Sequence, residues 1–219
     1  MRLKFLPSFV KRRGRITKNQ EKNLKFLSDY SIKNIDDIQK VASNYSSCCL
    51  EVGFGNAEHI YLQATQNPEI LFVGSEVYLS GIGTLIGLIK DNNIMNIRIF
   101  SNDIRILLDE NINIEIFEAV KIICPDPWPK ERHYKRRLIN KSFLELLHDS
   151  MKPNANLYIS TDWENYAEHI KEELNSTQLF NKSDIFHTKK DHFTKFEQRG
   201  ISEGRKIFEF NFEKADQEL

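Results

Sequence analysis

The chain has 219 residues, of which 31 are Lys or Arg and 31 are Asp or Glu, so its formal net charge at pH 7 is zero. This balance excludes a protein that binds nucleic acid through an overall positive charge, and the length, without a Gly-, Ser- or Pro-rich linker, indicates one folded domain. The start of the chain lacks a signal-peptide pattern, eighteen apolar residues never run together, and the three cysteines lack metal-site spacing. We therefore expect a soluble, reduced, cytoplasmic protein without a bound metal.

The first twenty residues form a basic segment, with seven Lys or Arg and no acid. A second basic cluster, Lys130 to Arg137, holds five Lys or Arg against Glu131. Two local basic patches on a neutral protein indicate a polyanionic partner that docks at defined places. We predict that residues 1–20 are a basic, flexible arm and that residues 21–219 form the domain. A solvated arm without a partner is the alternative.

Short apolar runs alternate with helical patterns along most of the chain. The predicted strands are 47–54, 69–76, 96–103, 119–124 and 156–162, and the predicted helices are 57–66, 78–91, 104–110, 136–151 and 163–174. Nearly continuous apolar strands separated by helices predict a parallel sheet with helices on both faces. Two later runs, 179–186 and 204–214, read as strands with no helix between them and predict an antiparallel edge. The expected fold is α/β, with a mostly parallel seven-stranded sheet.

A glycine turn follows the first predicted strand in "LEVGFGNAEHI". Gly53 and Gly55 allow a tight turn and a close approach of a ligand to the backbone, where the next helix begins. Glu76 ends the second predicted strand, twenty-one residues after Gly55. An acid at this place in an open α/β sheet accepts hydrogen bonds from ribose hydroxyls, so the spacing predicts a cofactor that contains adenosine.

Two cofactors with a ribose, NAD and S-adenosylmethionine, fit this spacing. The dinucleotide pattern needs a third small residue where this chain has Glu58, and a second acid, Glu51, precedes the turn. Carboxylates near the glycines repel a pyrophosphate and attract a sulfonium, which favours S-adenosylmethionine. After the third predicted strand, Asn102 and Asp103 are candidates to bind the adenine, or alternatively a helix N-cap pair.

A stiff, acidic turn follows the fourth predicted strand in "CPDPWPKERHYKRR". Asp126 lies between Pro125 and Pro127, which restrict the backbone and would present the carboxylate rigidly, as a catalytic group requires. A plain strand-ending turn, with Trp128 in the core, is the alternative. The cations that follow would lie in the first turn of a helix, against its dipole, which indicates bound phosphates. The candidate phosphate ligands are Lys130, Arg132, Lys135, Arg136 and Arg137.

Two more groups of polar residues follow the fifth predicted strand. Asp162 comes directly after that strand and is either a helix N-cap or a functional acid at the same sheet edge as Asp126. The segment 192–200 mixes polar residues with aromatics in a predicted loop, a composition that suits stacking and hydrogen bonding to an extruded base. Its candidate substrate-binding residues are Thr194, Lys195, Phe196 and Glu197, with Phe193 and Arg199 beside them.

At these motifs the sequence resembles the bacterial tRNA (guanine-N7)-methyltransferase family, class I methyltransferases that modify a guanosine, position 46, in the tRNA variable loop. The segments "RITKNQEKNL", "EVGFGNAE", "GSEV", "SND", "PDPWPKERHYKRR", "STDWENYAE" and "TKFEQRG" occur in the family's order between about residues 15 and 212. The resemblance implies a Rossmann-like class I methyltransferase fold, S-adenosylmethionine as cofactor and tRNA as partner, in a monomer or homodimer. One departure is Ala57, where the family usually has a glycine.

The resemblance also implies residue roles. Glu51, Glu76 and Asp103 are implied to contact S-adenosylmethionine, and Asp126 to lie at the catalytic centre, where it would also face the cofactor. The implied substrate contacts are Lys130, Asp162 and Thr194 to Glu197. Three other functions stay open at this point: a Rossmann oxidoreductase, a non-catalytic RNA-binding module and a methyltransferase that acts on another base position.

Overall fold

A seven-stranded sheet organises the protein, seen in a computed structural model that describes residues 5–10, 15–109, 114–183 and 193–215. The strands are β1 (Ser47–Val52), β2 (Ile70–Ser75), β3 (Ile97–Phe100), β4 (Phe117–Ile123), β5 (Met151–Thr161), β6 (Phe180–Lys182) and β7 (Phe208–Lys214). Their order across the sheet is β3-β2-β1-β4-β5-β7-β6. The first five strands are parallel, and β7 pairs antiparallel with both β5 and β6. The predicted parallel sheet with an antiparallel edge is confirmed.

Nine α-helices lie within the described ranges. They are α1 (Lys18–Leu24), α2 (Leu27–Tyr30), α3 (Ile35–Ala42), α4 (Glu58–Gln66), α5 (Leu79–Asp91), α6 (Ile104–Leu108), α7 (Lys141–Ser150), α8 (Glu164–Thr177) and α9 (Lys195–Ser202). A 3-10 helix covers Glu131–Arg136. None of these helices is long and apolar enough to cross a membrane.

Alternating side chains of the central strands bury two separate cores. Leu71 and Val73 of β2 belong to the core that includes side chains of α3, α6, α7 and α8, whereas Phe72 belongs to the core with α4 and α5. Because successive side chains of a strand point to opposite faces, the helices cover both sides of the sheet. Because β1 to β5 are parallel, their carboxyl ends lie together at one end of the sheet. The loops that carry the predicted site residues begin there.

The basic cluster does not lie at the start of a long helix, so the prediction of a helix from residue 136 is wrong at its beginning. Asn140 caps α7 by accepting a hydrogen bond from the backbone N–H of Phe143 at 3.2 Å. Arg132, Lys135 and Arg136 lie earlier, in the 3-10 helix; Lys130 is its N-cap, and Arg137 is its C-cap, with a non-helical ψ of 134°. The cations therefore do not oppose the dipole of α7, and this dipole gives no reason to expect bound phosphate.

The segment 192–200, predicted as a loop, contains most of α9, and this helix lies between the two late strands. The prediction that no helix separates them is wrong. Thr194 and Glu197 form a capping box: the Thr194 side chain accepts from the Glu197 backbone, and the Glu197 side chain accepts from the Thr194 backbone at 2.9 Å. This reciprocal pair satisfies two backbone donors at the start of the helix.

The division into an arm and a domain at residue 20 stays a prediction. Helix α1 begins inside the predicted arm, at Lys18, and Asn23 joins it to α5 by donating a hydrogen bond to the Gly83 carbonyl at 3.1 Å. Residues 1–4 and 11–14 lie outside the described part of the chain.

Candidate functional site

A cavity of about 390 Å³ opens where the parallel strands end. It brings together most of the residues singled out from the sequence: Gly53, Gly55, Glu76, Asn102, Asp103, Asp126, Asp162 and Phe196. Pro125, Pro127, Leu138 and Trp163 contribute apolar parts of its wall. An apolar cavity with a few converging polar groups at this edge of an α/β sheet is the usual place for a ligand.

The glycine turn between β1 and α4 contains three residues in the left-handed region. Gly53, Gly55 and Ala57 have φ angles of 72°, 51° and 70°. Glycine adopts this conformation readily, but Ala57 adopts it at a cost in strain and is also completely buried. The Phe196 ring lies so close to Gly55 that an added Cβ would be 3.1 Å from its Cε2 atom. A glycine at position 55 is therefore needed for two reasons: the left-handed turn and the close contact with the Phe196 ring.

Glu76 is buried directly after β2, and its carboxylate is bound to the backbone of two loops. Oε2 accepts from Gly55 at 2.8 Å, and Oε1 accepts from Val77 at 2.6 Å and Tyr78 at 2.9 Å. Burial raises the pKa of Glu76, these three N–H donors oppose the rise, and the negative charge of Asp126 adds to it. Glu76 is therefore fixed in place beside a second acid that shares its cavity.

Asp126 lies in a turn whose backbone is held on both sides. The neighbouring prolines fix their own φ, and Cys124 and Trp128 have positive φ values of 48° and 46°. Asp126 itself is exposed to solvent and faces the same cavity as Gly53 and Glu76. Trp128 is half-buried rather than in the core, and its Nε1 donates to the Ser8 carbonyl at 2.9 Å.

Asp103 acts as a helix cap. Its side chain accepts from the Arg105 backbone at 3.1 Å, and its two oxygens lie 3.0 Å and 2.7 Å from Nε and Nη2 of the same arginine. Asn102 is exposed, and its side chain accepts from the Asp103 backbone at 2.9 Å. Both residues line the cavity, so the N-cap role and a contact with adenine are compatible.

Glu51 is not among the residues that line the main cavity. Its Oε2 atom is 2.6 Å from Nδ1 of His59, and Glu58 pairs with Lys195 at 2.7 Å. Glu51 and Glu58 line a smaller cavity of about 20 Å³, together with Thr194 and Lys195. The carboxylates that line the main cavity are Glu76, Asp103, Asp126 and Asp162. Because Arg105 pairs with Asp103 and Arg205 pairs with Asp162, the charge argument against a pyrophosphate now depends on Glu76 and Asp126.

Helix α9 brings the substrate-binding candidates to the cavity with different exposures. The Phe196 side chain is 55 % exposed, whereas Glu197 is fully buried and also accepts a hydrogen bond from Ser160 at 3.0 Å. Asp162 is bound by Arg205, whose Nε lies 2.8 Å from Oδ2. Glu197 is thus engaged in holding the start of α9, while Phe196 and Asp162 face the cavity.

The basic cluster lies beside the cavity and divides into exposed and buried residues. Lys130, Arg132 and Lys135 are exposed, and Arg136 donates to the Pro7 carbonyl at 3.3 Å. Arg137 is 2 % exposed, and it donates to the Pro127 carbonyl at 3.1 Å and to Asn165 at 2.6 Å. The prediction that Arg137 binds phosphate is therefore wrong: this side chain supports the proline turn.

Sequence reasoning missed several residues of the cavity wall. Ser8 and Phe9 reach it from the N-terminal segment, and Arg205 reaches it from the loop after α9. Nothing in the local sequence indicates these placements, because they depend on contacts between distant parts of the chain. Within the described ranges, no group of three or more His, Cys, Asp or Glu residues could hold a metal ion.

Comparisons with known proteins agree with this architecture. A family model described as "Putative methyltransferase" matches residues 45–210. The tRNA (guanine-N(7)-)-methyltransferase of Nitrosococcus oceani is 36% identical over 217 residues, which cover 96% of this chain and 91% of that protein. The protein of the same name from Nitrosomonas europaea is 38% identical over 179 residues, 80% of each chain.

Solved structures resemble the fold. The 16S rRNA (adenine(1408)-N(1))-methyltransferase of Catenulisporales acidiphilia matches with a TM-score of 0.58 at 18% identity, covering 85% of this chain and 96% of that one. A structure described as an antibiotic related methyltransferase matches with a TM-score of 0.59 at 16% identity, covering 84% and 96%. At these identities the likeness concerns the fold alone.

Proposed function

The chain belongs to the tRNA (guanine-N7)-methyltransferase family, and from this premise we propose that it methylates N7 of the guanosine at position 46 in the tRNA variable loop. The methyl donor in this proposal is S-adenosylmethionine. The observation that carries the proposal is the shared cavity of Glu76, Asp126 and Phe196 at the glycine turn. This cavity offers acceptors for a ribose, an acid for a developing positive charge and an aromatic ring for a base.

The residues around the cavity fit the proposed cofactor. The volume of about 390 Å³ is within the range of roughly 300–1,000 Å³ that small-molecule sites occupy. Gly53 and Gly55 leave the backbone open to a ligand, and Glu76 would accept hydrogen bonds from the ribose. Asn102 and Asp103 would bind the adenine, and Asp126 would face the sulfonium. The bound cofactor supplies an electrophilic methyl group.

The chemistry at N7 needs positioning rather than proton removal. Guanine N7 already has an in-plane lone pair, so no base must act before the methyl group is attacked. Holding N7 and the methyl carbon in line can account for roughly 7–11 kcal/mol of barrier reduction. Positive charge then moves onto the purine, so the fixed carboxylate of Asp126 stabilises the transition state more than the neutral guanine.

The substrate would be held by two surfaces. Phe196 is exposed at the cavity and suited to stacking on an extruded base, with Asp162 and Thr194 beside it to accept or donate hydrogen bonds. The exposed cations Lys130, Arg132 and Lys135, with Arg136, would bind tRNA phosphates. We place the reaction in the cytoplasm, with the tRNA substrate, and propose a monomer or homodimer.

Nucleoside analysis tests the proposal. Unmodified tRNA is incubated with the protein and S-adenosylmethionine, and the digested RNA is analysed by mass spectrometry, with mapping of the modified position. We expect 7-methylguanosine in the variable loop. Methylation of adenine, or of guanine at another atom, would contradict the proposal. A parallel calorimetric titration with NAD and S-adenosylmethionine separates this function from an oxidoreductase, because only the methyl donor is expected to bind.

A further inference from the structure

Asp162 is held in the cavity by an arginine from the loop after α9. Arg205 Nε donates to Asp162 Oδ2 at 2.8 Å, and both side chains are partly shielded, at 31% and 19% exposure. Both residues line the cavity that contains Phe196. A charge-assisted bond in this partly shielded setting fixes the direction of a carboxylate more firmly than a fully solvated pair does.

Arg205 is itself fixed by its neighbours. Its Nη1 atom binds Glu203, and Glu203 also accepts from Arg199 Nε at 2.8 Å. The backbone N–H of Arg205 donates to the Gly200 carbonyl at 2.8 Å. The side chains therefore form a row of alternating charge that runs from α9 to Asp162, and this row holds the guanidinium group in one orientation.

Gly200 holds Asp162 from a second side. A Cβ atom added at Gly200 would lie 2.7 Å from Oδ2 and 2.9 Å from Cβ of Asp162, so only glycine permits this approach. Arg205 and Gly200 both lie against Oδ2. The carboxylate is thus held through one oxygen while Asp162 lines the cavity.

We infer that Arg205 is a positioning residue that orients Asp162 to accept hydrogen bonds from the N1–H and 2-amino groups of the target guanine. The inference rests on the proposed function, in which Asp162 contacts the substrate. A carboxylate has about four acceptor sites, and the Arg205 bond uses one of them, so both oxygens of Asp162 can accept from these two adjacent donors. Adenine has no donor at either place, and an extruded base is read by this edge. Arg205 thereby determines base specificity without touching the reacting N7 atom.

Inosine provides the test, because it keeps N7 but lacks the 2-amino group. Two tRNAs with guanosine or inosine at the target position are compared by their kcat/KM for methylation. The wild-type protein should prefer guanosine by about tenfold or more, since inosine forms one hydrogen bond fewer to a charged group. In Arg205→Gln the preference should fall to within about threefold, because the carboxylate is no longer oriented.

Two further variants and a control complete the test. Arg205→Lys keeps the charge but not the planar fork, and Gly200→Ala displaces Asp162 with Arg205 intact, so both should also lose the preference. Arg98→Gln removes an arginine at the β3 edge of the sheet and should keep the wild-type preference. Thermal unfolding and binding of S-adenosylhomocysteine report whether each variant is folded.

An unchanged preference in folded Arg205→Gln and Arg205→Lys would overturn the inference. An equal rise of KM for both tRNAs with a smaller salt dependence would also overturn it, since Arg205 would then bind phosphate. Failure of the proposed function is a separate result: wild-type protein would form no 7-methylguanosine on the guanosine tRNA.

Discussion

The Glu76 carboxylate accepts a hydrogen bond from the backbone N–H of Gly55 at 2.8 Å, which ties the end of β2 to the glycine turn after β1. The same carboxylate binds the backbone at Val77 and Tyr78. Glu76 therefore has its geometry set by the protein itself. A preorganised acceptor of this kind loses little freedom when it binds a ribose.

Glu76→Gln tests this role. The amide keeps the shape but loses the charge, and its NH2 group must face backbone N–H donors. We expect affinity for S-adenosylhomocysteine to fall about 10²-fold, as for the loss of one or two hydrogen bonds to a charged group. Calorimetry measures the change. Glu69→Gln, an exposed acid just before β2, is the matched control and should bind as the wild type does.

The pH dependence of cofactor binding should report the same residue. Burial raises the pKa of Glu76 above its ordinary value of 4.5, so the neutral form persists to higher pH than in an unfolded chain. The ionised form is the stronger ribose acceptor, and affinity should therefore decline as the pH is lowered through the raised pKa. The limiting slope is about one log unit in Kd per pH unit. A slope that is unchanged in Glu76→Gln would contradict the assignment.

Asp126→Ala should lower kcat about 10²–10³-fold, by analogy with the loss of one preorganised group that stabilises charge in the transition state. KM for tRNA should change far less, because Asp126 is not part of the basic cluster. Single-turnover methyl transfer measures the effect. Asp91→Asn, at the exposed end of α5, serves as the control for loss of one acid. Near-normal turnover of the Asp126 variant would rule out this catalytic role.

The exposed cations should control the salt dependence of tRNA binding. Replacing Lys130 or Arg132 with Gln should reduce the slope of log K against log salt by roughly 0.7–0.9 for each tRNA phosphate that the variant no longer neutralises. Filter binding at several salt concentrations measures this slope. Lys171→Gln, on the exposed surface of α8, should leave it unchanged. Equal slopes for all the proteins would mean that Lys130 and Arg132 do not contact phosphate.

The sheet and the cavity can be predicted because they depend on local patterns. Apolar runs bounded by turn residues define β1, β2 and β4, and the ends of parallel strands meet at one edge. This rule alone places Gly53, Glu76 and Asp126 together. The start of α9 is also visible in the sequence, as Thr194 followed by Glu197 is a capping-box pattern.

Other features depend on contacts between residues that are far apart in the sequence. Trp128 binds the carbonyl of Ser8, 120 residues earlier, and Arg205 binds Asp162, 43 residues earlier. No periodicity or motif encodes such pairs, since each is selected by the packing of complete elements. The helix start at Lys141 escapes prediction for a related reason: Leu138 and Ile139 are buried in the core although they lie before the helix, so their apolar character does not mark its start.

Ala57 gives the last test, because it occupies a left-handed position where a glycine is expected. Its φ is 70°, and as the N-cap of α4 it precedes the helix. Ala64 in the same helix is equally buried but helical, so it is the matched control. Both Ala→Gly changes remove one buried methyl group. Ala57→Gly also relieves left-handed strain of about 1 kcal/mol, whereas Ala64→Gly loses about 1 kcal/mol of helix propensity.

The free energies of unfolding should therefore differ by about 2 kcal/mol, with Ala57→Gly the more stable variant. Urea unfolding of the two proteins measures the difference directly. The glycine should also leave cofactor affinity intact, because Gly53 and Gly55, rather than residue 57, line the main cavity. Equal destabilisation by the two changes would show that the left-handed Ala57 carries no strain. The glycine that the family usually has at this position would then need another explanation.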